Sequence, residues 1–267
     1  MSSKPASKGG QLLETAINYY WSAEVGRAND IQRQRALNTI DKLLGSVPGD
    51  PEGLMARGIF MCADDDISAI RTIEDAVARL PYEPAARLNL ITALMHFGFL
   101  DRALSQARHV WDMSEKSSHL LERLIRYSLM SGQIAAASAL IDQWERMFPD
   151  RDMSESVLDQ RDIIQLALDD HPRAEPEAIG DAIALATQLG RDHGYAPRIS
   201  QFEMLRDESA TWLRVSISVK TDAESLVDLD EELIDRLAHT DLSQRLAGTL
   251  VIEFCDQRSA PIEVVAA

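Results

Sequence analysis

The chain is poor in cysteine, with only Cys62 and Cys255 among its 267 residues. Two thiols in segments of different periodicity exclude a disulfide framework, so a cytoplasmic setting is expected. Positive charge is also scarce: 27 lysines and arginines stand against 43 aspartates and glutamates, a formal charge of −16. Such a field repels phosphate backbones, and the densest basic run, Arg27 to Arg35, is broken by Asp30, so no nucleic-acid partner is expected. No apolar run approaches the roughly 18 residues of a membrane span, so no membrane insertion is expected. Residues 1–10 lack the apolar stretch of a secretory signal.

Chemical signatures are missing as well. His96, His109, His119, His171, His193 and His239 form no His-x-x-x-His pair, and there is no Cys-x-x-Cys, so no zinc site is expected. Phosphate-cradling glycine loops and the Gly-x-Ser-x-Gly elbow are absent too. Asp64, Asp65 and Asp66 resemble a carboxylate cluster, but they fall at a turn before a helix, where Asp caps the free N–H groups. An EF-hand is excluded, because its Gly and distal Glu do not follow at the required spacing. The chain therefore reads as non-catalytic, with no cofactor and no metal.

What is present is a period. Ala69, Ala103 and Ala137 stand 34 residues apart, as do Ala76, Val110 and Trp144, and Asp64, Gly98 and Gly132. Pro81 and Pro149 lie two periods apart. A fixed interval of this length marks stacked helix pairs, each burying its apolar face only against its neighbours. Helical spacing predicts a first pair at about 11–21 and 29–44, ended by Gly45 and the turn Val47 to Pro51. Further helices are predicted near 52–62, 66–80, 84–97, 100–113, 117–131 and 134–147. A fifth pair follows, from Ser154 to Leu168 and from Pro176 to Leu189.

Near residue 192 the period changes to two. Trp212, Leu213, Val215, Ile217 and Val219 alternate with polar residues, a strand signature, and 249–255 is a second such run. Ile199 to Leu205 is a third. Between them, Thr221 and Glu224 form a capping box opening a helix to Ala238. The fold class expected is α+β: an all-α repeat array followed by a small β-β-α-β domain. Its segments are a disordered 1–9, helical repeats over 10–192, a linker at 193–198, the α/β domain over 199–258 and a tail at 259–267.

The repeats resemble tetratricopeptide (TPR) repeats, helix–turn–helix modules of this length. Leu90, Gly98, Ala103, Ala107 and Val110 carry the likeness in one unit, and Leu121, Leu124, Gly132, Ala137, Trp144 and Pro149 in the next. Leu54, Gly58, Ala69, Ala76 and Pro81 carry it in the unit before, with one residue missing from its turn. Small positions of the family are enlarged here to Ile91, Ile125, Val110 and Trp144, which implies wider or differently angled hairpin packing. The resemblance implies a solenoid of about five hairpins whose first helices line a concave groove. It places Met55, Ile59 and Cys62 on that wall from one unit, and Leu88, Thr92, Met95 and His96 from the next. Glu122, Arg126, Leu129 and Met130 follow from the third. The family's clamp for acidic tails is not implied, since Leu88, Thr92, Glu122 and Arg126 occupy its positions.

The function expected is a bacterial-style adaptor, scaffold or chaperone that holds a peptide or amphipathic helix in the groove. The alternative for the groove is that the chain's own C-terminal part fills it. Two further surfaces are noted: the acidic helix from Asp222 to Asp235, as a dock for a basic partner, and edge strands that pair two copies into a homodimer. The competing class is an enzyme or small-molecule sensor with a site near Tyr195, Arg198, Trp212 and His239.

Overall fold

The computed structural model describes residues 7–24, 26–207 and 211–256. Among these are twelve helices and three strands, an α+β layout. The helices before the sheet are α1 (Lys8–Glu24), α2 (Asp30–Ser46), α3 (Pro51–Ala63), α4 (Ala69–Arg79), α5 (Pro84–His96), α6 (Leu100–Met113), α7 (Ser118–Met130), α8 (Ile134–Met147), α9 (Glu155–Asp170) and α10 (Pro176–Asp192). They are followed by β1 (Arg198–Arg206), β2 (Thr211–Val219), α11 (Ala223–Ala238), α12 (Leu242–Leu246) and β3 (Leu250–Asp256). Local chemistry sets many of the starts. Pro51, Pro84 and Pro176 occupy first turns, where a missing N–H costs nothing. Asn29, Asp50 and Ser117 accept an N–H of their own first turn.

The ends are set differently. After α1, α3, α5 and α7 the chain passes through a left-handed residue: Gly26, Asp65, Gly98 and Gly132, with φ of 66°, 57°, 67° and 66°. At Asp65 and Gly132 the paired bonds of a Schellman turn close the helix, Asp66 N–H to Met61 and Gln133 N–H to Ser128, both at 2.9 Å. The sequence period aligned Asp64 with the two glycines. The structure gives that place to Asp65, because the turn after α3 closes one residue later in that alignment.

The chain divides into two compact units, Met1–Phe97 and Gly98–Ala267. This division falls inside the segment 10–192 that reads as one helical domain. In the first unit α1 lies along α3, α3 touches α5, and α2 and α4 return between them. Ala16 and Ala56 have no exposed surface, and Phe60, Ile73 and Ile91 are buried in the same unit. Small side chains at a helix contact let large neighbours interlock at crystal-like density. α1 begins at Lys8, inside the segment 1–9 expected to be disordered, with Gly9 pressed against Glu52; residues 1–6 of that segment lie outside the described residues.

In the second unit α6, α7 and α8 pack in succession. The enlarged positions Ile125, Val110 and Trp144 are buried there. The sheet has the order β1-β2-β3, with β1 antiparallel and β3 parallel to the central β2. Parallel pairing needs a crossover, which α11 and α12 supply. The helix α12 was not anticipated, being too short to show a period. Leu213, Val215, Ile217 and Val219 on β2 are fully buried. The expected fifth hairpin is arranged around this sheet. α9 packs on α7, β1 and β2, whereas α10 packs on α8, α11, α12, β2 and β3. The segment 193–198 therefore does not separate bodies: Gly190 has no side chain, and a Cβ there would sit 2.9 Å from Pro197. Asp222, not Thr221, caps α11 by accepting from Ser225 N–H at 2.9 Å, and Thr221 instead donates to the Tyr195 hydroxyl. The outer edge of β3 is partly closed by Asp230, which accepts the Phe254 N–H at 2.8 Å.

Two outcomes follow. Gly132→Ala places a Cβ 2.5 Å from the Gly180 backbone at positive φ. Left-handed geometry alone costs about 1–2 kcal/mol, so the loss in urea unfolding should exceed about 2 kcal/mol. Burial holds the Asp230 carboxyl above the ordinary aspartate range, opposed by its bond from Phe254. The folded state thus favours the protonated acid, and the charged form destabilises it above that raised pKa. Asp230→Asn keeps an acceptor oxygen, so the variant should gain stability relative to the parent at neutral pH. The gain should shrink as pH falls through the folded pKa; a gain that grows toward acid would reverse the assignment.

Candidate interaction site

The eleven residues expected on the groove wall fall seven in the first unit and four in the second. Met55, Ile59 and Cys62 on α3 are 1%, 7% and 3% exposed. They are core side chains: α1, α2, α4 and α5 all pack on α3, and Ile59 and Cys62 stand beside Ile17, Tyr20 and Trp21 of α1 and Ile73 of α4. Leu88, Thr92 and Met95 on α5 are half-buried. A cavity of about 60 Å³ remains between Tyr20, Trp21, Ile59, Cys62 and Thr92, far below the ~300–1,000 Å³ of ordinary ligand pockets. In the second unit Leu129 is buried, while Glu122, Arg126 and Met130 are half-buried. Arg126 lies 3.9 Å from Glu122 and donates to Ser156 Oγ at 3.0 Å.

His96 belongs to a buried network. Its Nδ1 stands 2.8 Å from the Tyr20 hydroxyl and its Nε2 2.9 Å from Asp65 Oδ1. One imidazole thereby ties α1, the α3–α4 turn and α5 together. The aspartate triplet divides its roles. Asp64 pairs with Arg33, Asp65 holds His96, and Asp66 accepts the Ser68 N–H at 2.9 Å just before α4. Among the described residues no group of three or more His, Cys, Asp or Glu is placed to hold a metal ion. No described helix is long and apolar enough to cross a membrane.

A cleft of about 500 Å³ lies in the second unit. Its walls are the first turn of α6 with Gly98 and Phe99, the turn from Ser131 into α8, and a flank of α10 from Glu177 to Arg191. Gly132 and Gly180 meet at its base, where neither has a side chain to keep the backbones apart. Phe99 and Gln133 stand at the N-caps of α6 and α8, and neither supplies a side-chain cap bond. Both helix starts thus leave first-turn N–H groups to solvent or a guest. Arg191 lies 4.4 Å from the Phe99 ring centre and donates to the Gly98 carbonyl. Burial lowers its pKa, and the neighbouring Asp192 counteracts this. Gln133 donates to Asp101 at 3.3 Å and accepts from Arg108 at 3.0 Å, and Asp181 is paired with Arg245 at 3.0 Å. The hydroxyls of Ser131 and Thr187 are bonded to carbonyls of their own helices. Alanines 135, 136 and 184 leave the floor shallow and apolar between these polar edges.

None of the eleven groove residues lines this cleft. Neither do Tyr195, Arg198, Trp212 or His239. Arg198 opposes Ser218 and Trp212 opposes Leu205, so those two sit at opposite ends of the β1–β2 ladder. The sequence marked Gly98 and Gly132 as turn residues. It carried no sign that Gly180 and Arg191 would meet them, since that contact spans dozens of residues. In comparisons with known proteins, no family model, curated protein or solved structure matches this chain.

The His96 network has measurable consequences. Tyr20→Phe removes one buried hydrogen bond and should lower stability by about 1 kcal/mol. Asp65→Gly relieves the left-handed backbone but strips His96 of its carboxylate, and should also destabilise. In urea unfolding the double variant should lose less than the sum of the two, because both act through one ring. Additive losses would separate the two contacts.

Proposed function

We propose that the chain is a non-catalytic protein-binding module: an adaptor, scaffold or chaperone built of TPR-like hairpins. The single observation that carries the reading is the alternation of helix ends. α1, α3, α5 and α7 each stop at a left-handed residue, and α2, α4, α6 and α8 do not; in the fifth pair the order reverses, with left-handed Gly194 following α10 and none following α9. That alternation is what a repeated helix–turn–helix unit produces, and it includes the first hairpin although Gly26 stands 39 residues before Asp65 rather than one 34-residue period. Side-by-side packing of α1, α3 and α5 within the first unit agrees with first helices stacked in a solenoid. Repeats of this kind serve as surfaces for other polypeptides, an analogy of architecture that supports the reading.

Within that reading the cleft of the second unit, rather than the buried face of α3, offers a segment of a partner somewhere to lie. Its alanine floor admits apolar side chains. Its free helix-start N–H groups and the flanking Asp101, Glu177 and Arg102 provide polar anchors for an extended or helical peptide. A cytoplasmic partner protein is the occupant in this reading.

Photo-crosslinking tests it. A benzophenone amino acid replaces Ala135 or Ala184 in the cleft, or the exposed Ala139, which does not line it. The cleft positions should yield discrete adducts with one or a few polypeptides, and Ala139 should not. Equal, diffuse labelling from all three positions would overturn the reading.

A further inference from the structure

The exposed side of α11 separates two kinds of residue. At 3.6 residues per turn, Ala223, Val227, Ile234 and Ala238 fall within an arc of roughly 60°. Val227 is 56% exposed and Ile234 is 65% exposed. Glu224, Asp228, Glu231 and Asp235 occupy the adjoining arc, all exposed. Leu229 and Leu233 point the other way and are buried. The one cation of the helix, Arg236, is committed to Glu232 at 2.7 Å and Asp192 at 3.0 Å. Among the described residues the four carboxylates of the outer arc take part in no ion pair. A β-branched residue gains nothing from water, and two of them aligned two turns apart make a ridge with an uncompensated acidic flank.

We propose that this face of α11 docks a basic amphipathic helix of a partner protein. The partner's apolar ridge lies along Ala223, Val227, Ile234 and Ala238, and its lysines or arginines lie over Glu224, Asp228, Glu231 and Asp235. Charge complementarity selects that occupant: the face carries carboxylates only, and the formal charge of −16 draws cationic segments toward the chain. The inference rests on the chain being an interaction module, but it does not use the cleft. Loss of crosslinks at Ala135 and Ala184 would leave it standing.

The test uses the full chain and a fluorescein-labelled, 18-residue amphipathic peptide of leucine and lysine, read by anisotropy. The same peptide with glutamate for lysine is the control. The lysine peptide should bind and the glutamate peptide should not. Val227→Ser/Ile234→Ser leaves the charge unchanged and should weaken binding about tenfold or more. Glu224→Gln/Asp228→Asn/Glu231→Gln/Asp235→Asn should weaken it and flatten its dependence on salt. Circular dichroism should match the parent for both variants, since every changed side chain is exposed. Binding that ignores the serine variant would reduce the effect to general attraction between opposite charges and overturn the proposal. Two other outcomes would also overturn it. Binding that appears only after Ile262→Ser/Val264→Ser would assign the face to the chain's own C-terminal segment. A concentration-dependent dimer dissolved by Val227→Ser/Ile234→Ser would assign it to a second copy.

Discussion

A helix of eleven to seventeen residues is barely stable alone in water, so this chain depends on how tightly each helix can be turned back against the next. The left-handed residue after α1, α3, α5 and α7 does that turning. It closes the last carbonyls of one helix and lets the next begin within a few residues. Three of the four positions are glycine, which adopts this geometry freely. The fourth is Asp65, for which the geometry costs energy, and its carboxylate bonds His96 from the far end of α5. A locally unfavourable backbone is thereby coupled to a buried contact between helices distant in sequence.

The second unit rests on a different constraint. β2 is the central strand, and its residues Leu213, Val215, Ile217 and Val219 leave no apolar surface exposed. Burying them takes helices, and α9 and α10 are both used against the sheet. A pair that would close on itself in a plain repeat array is therefore shared with the α/β segment. The glycines at 180 and 190 make the sharing possible. One brings α10 against the α7–α8 turn, and the other lets Pro197 in beside the sheet.

Surface chemistry follows from these two arrangements. Met55, Ile59 and Cys62 on α3 are consumed as core, so the proposed binding role is left to what remains open. In the second unit that is the cleft, where backbone N–H groups and alanines lie between Asp101, Glu177 and Arg102. It is also the outer arc of α11, where carboxylates face water without cations. Both surfaces are the ones the proposals use, and neither includes a core residue of α3.

The sequence alone determined the helices, the three strands and nearly all their limits. Their signals are local: a period of 3.6 or 2, a proline at a first turn, a glycine or aspartate at a turn. It also determined the acidic face of α11, whose members lie within four turns of one another. The exceptions, α12 and the start of α1 at Lys8, lack a period or depend on a contact with Glu52. Tertiary structure decided whether an apolar face is core or surface. Met55 and Cys62 have the helical spacing of an exposed wall, and the packing of α1, α2, α4 and α5 on α3 buries them. It also decided that α9 and α10 part around the sheet, and that Gly98, Gly132, Gly180 and Arg191 gather at one cleft. Those outcomes depend on contacts between residues far apart in the chain, and no local period encodes them.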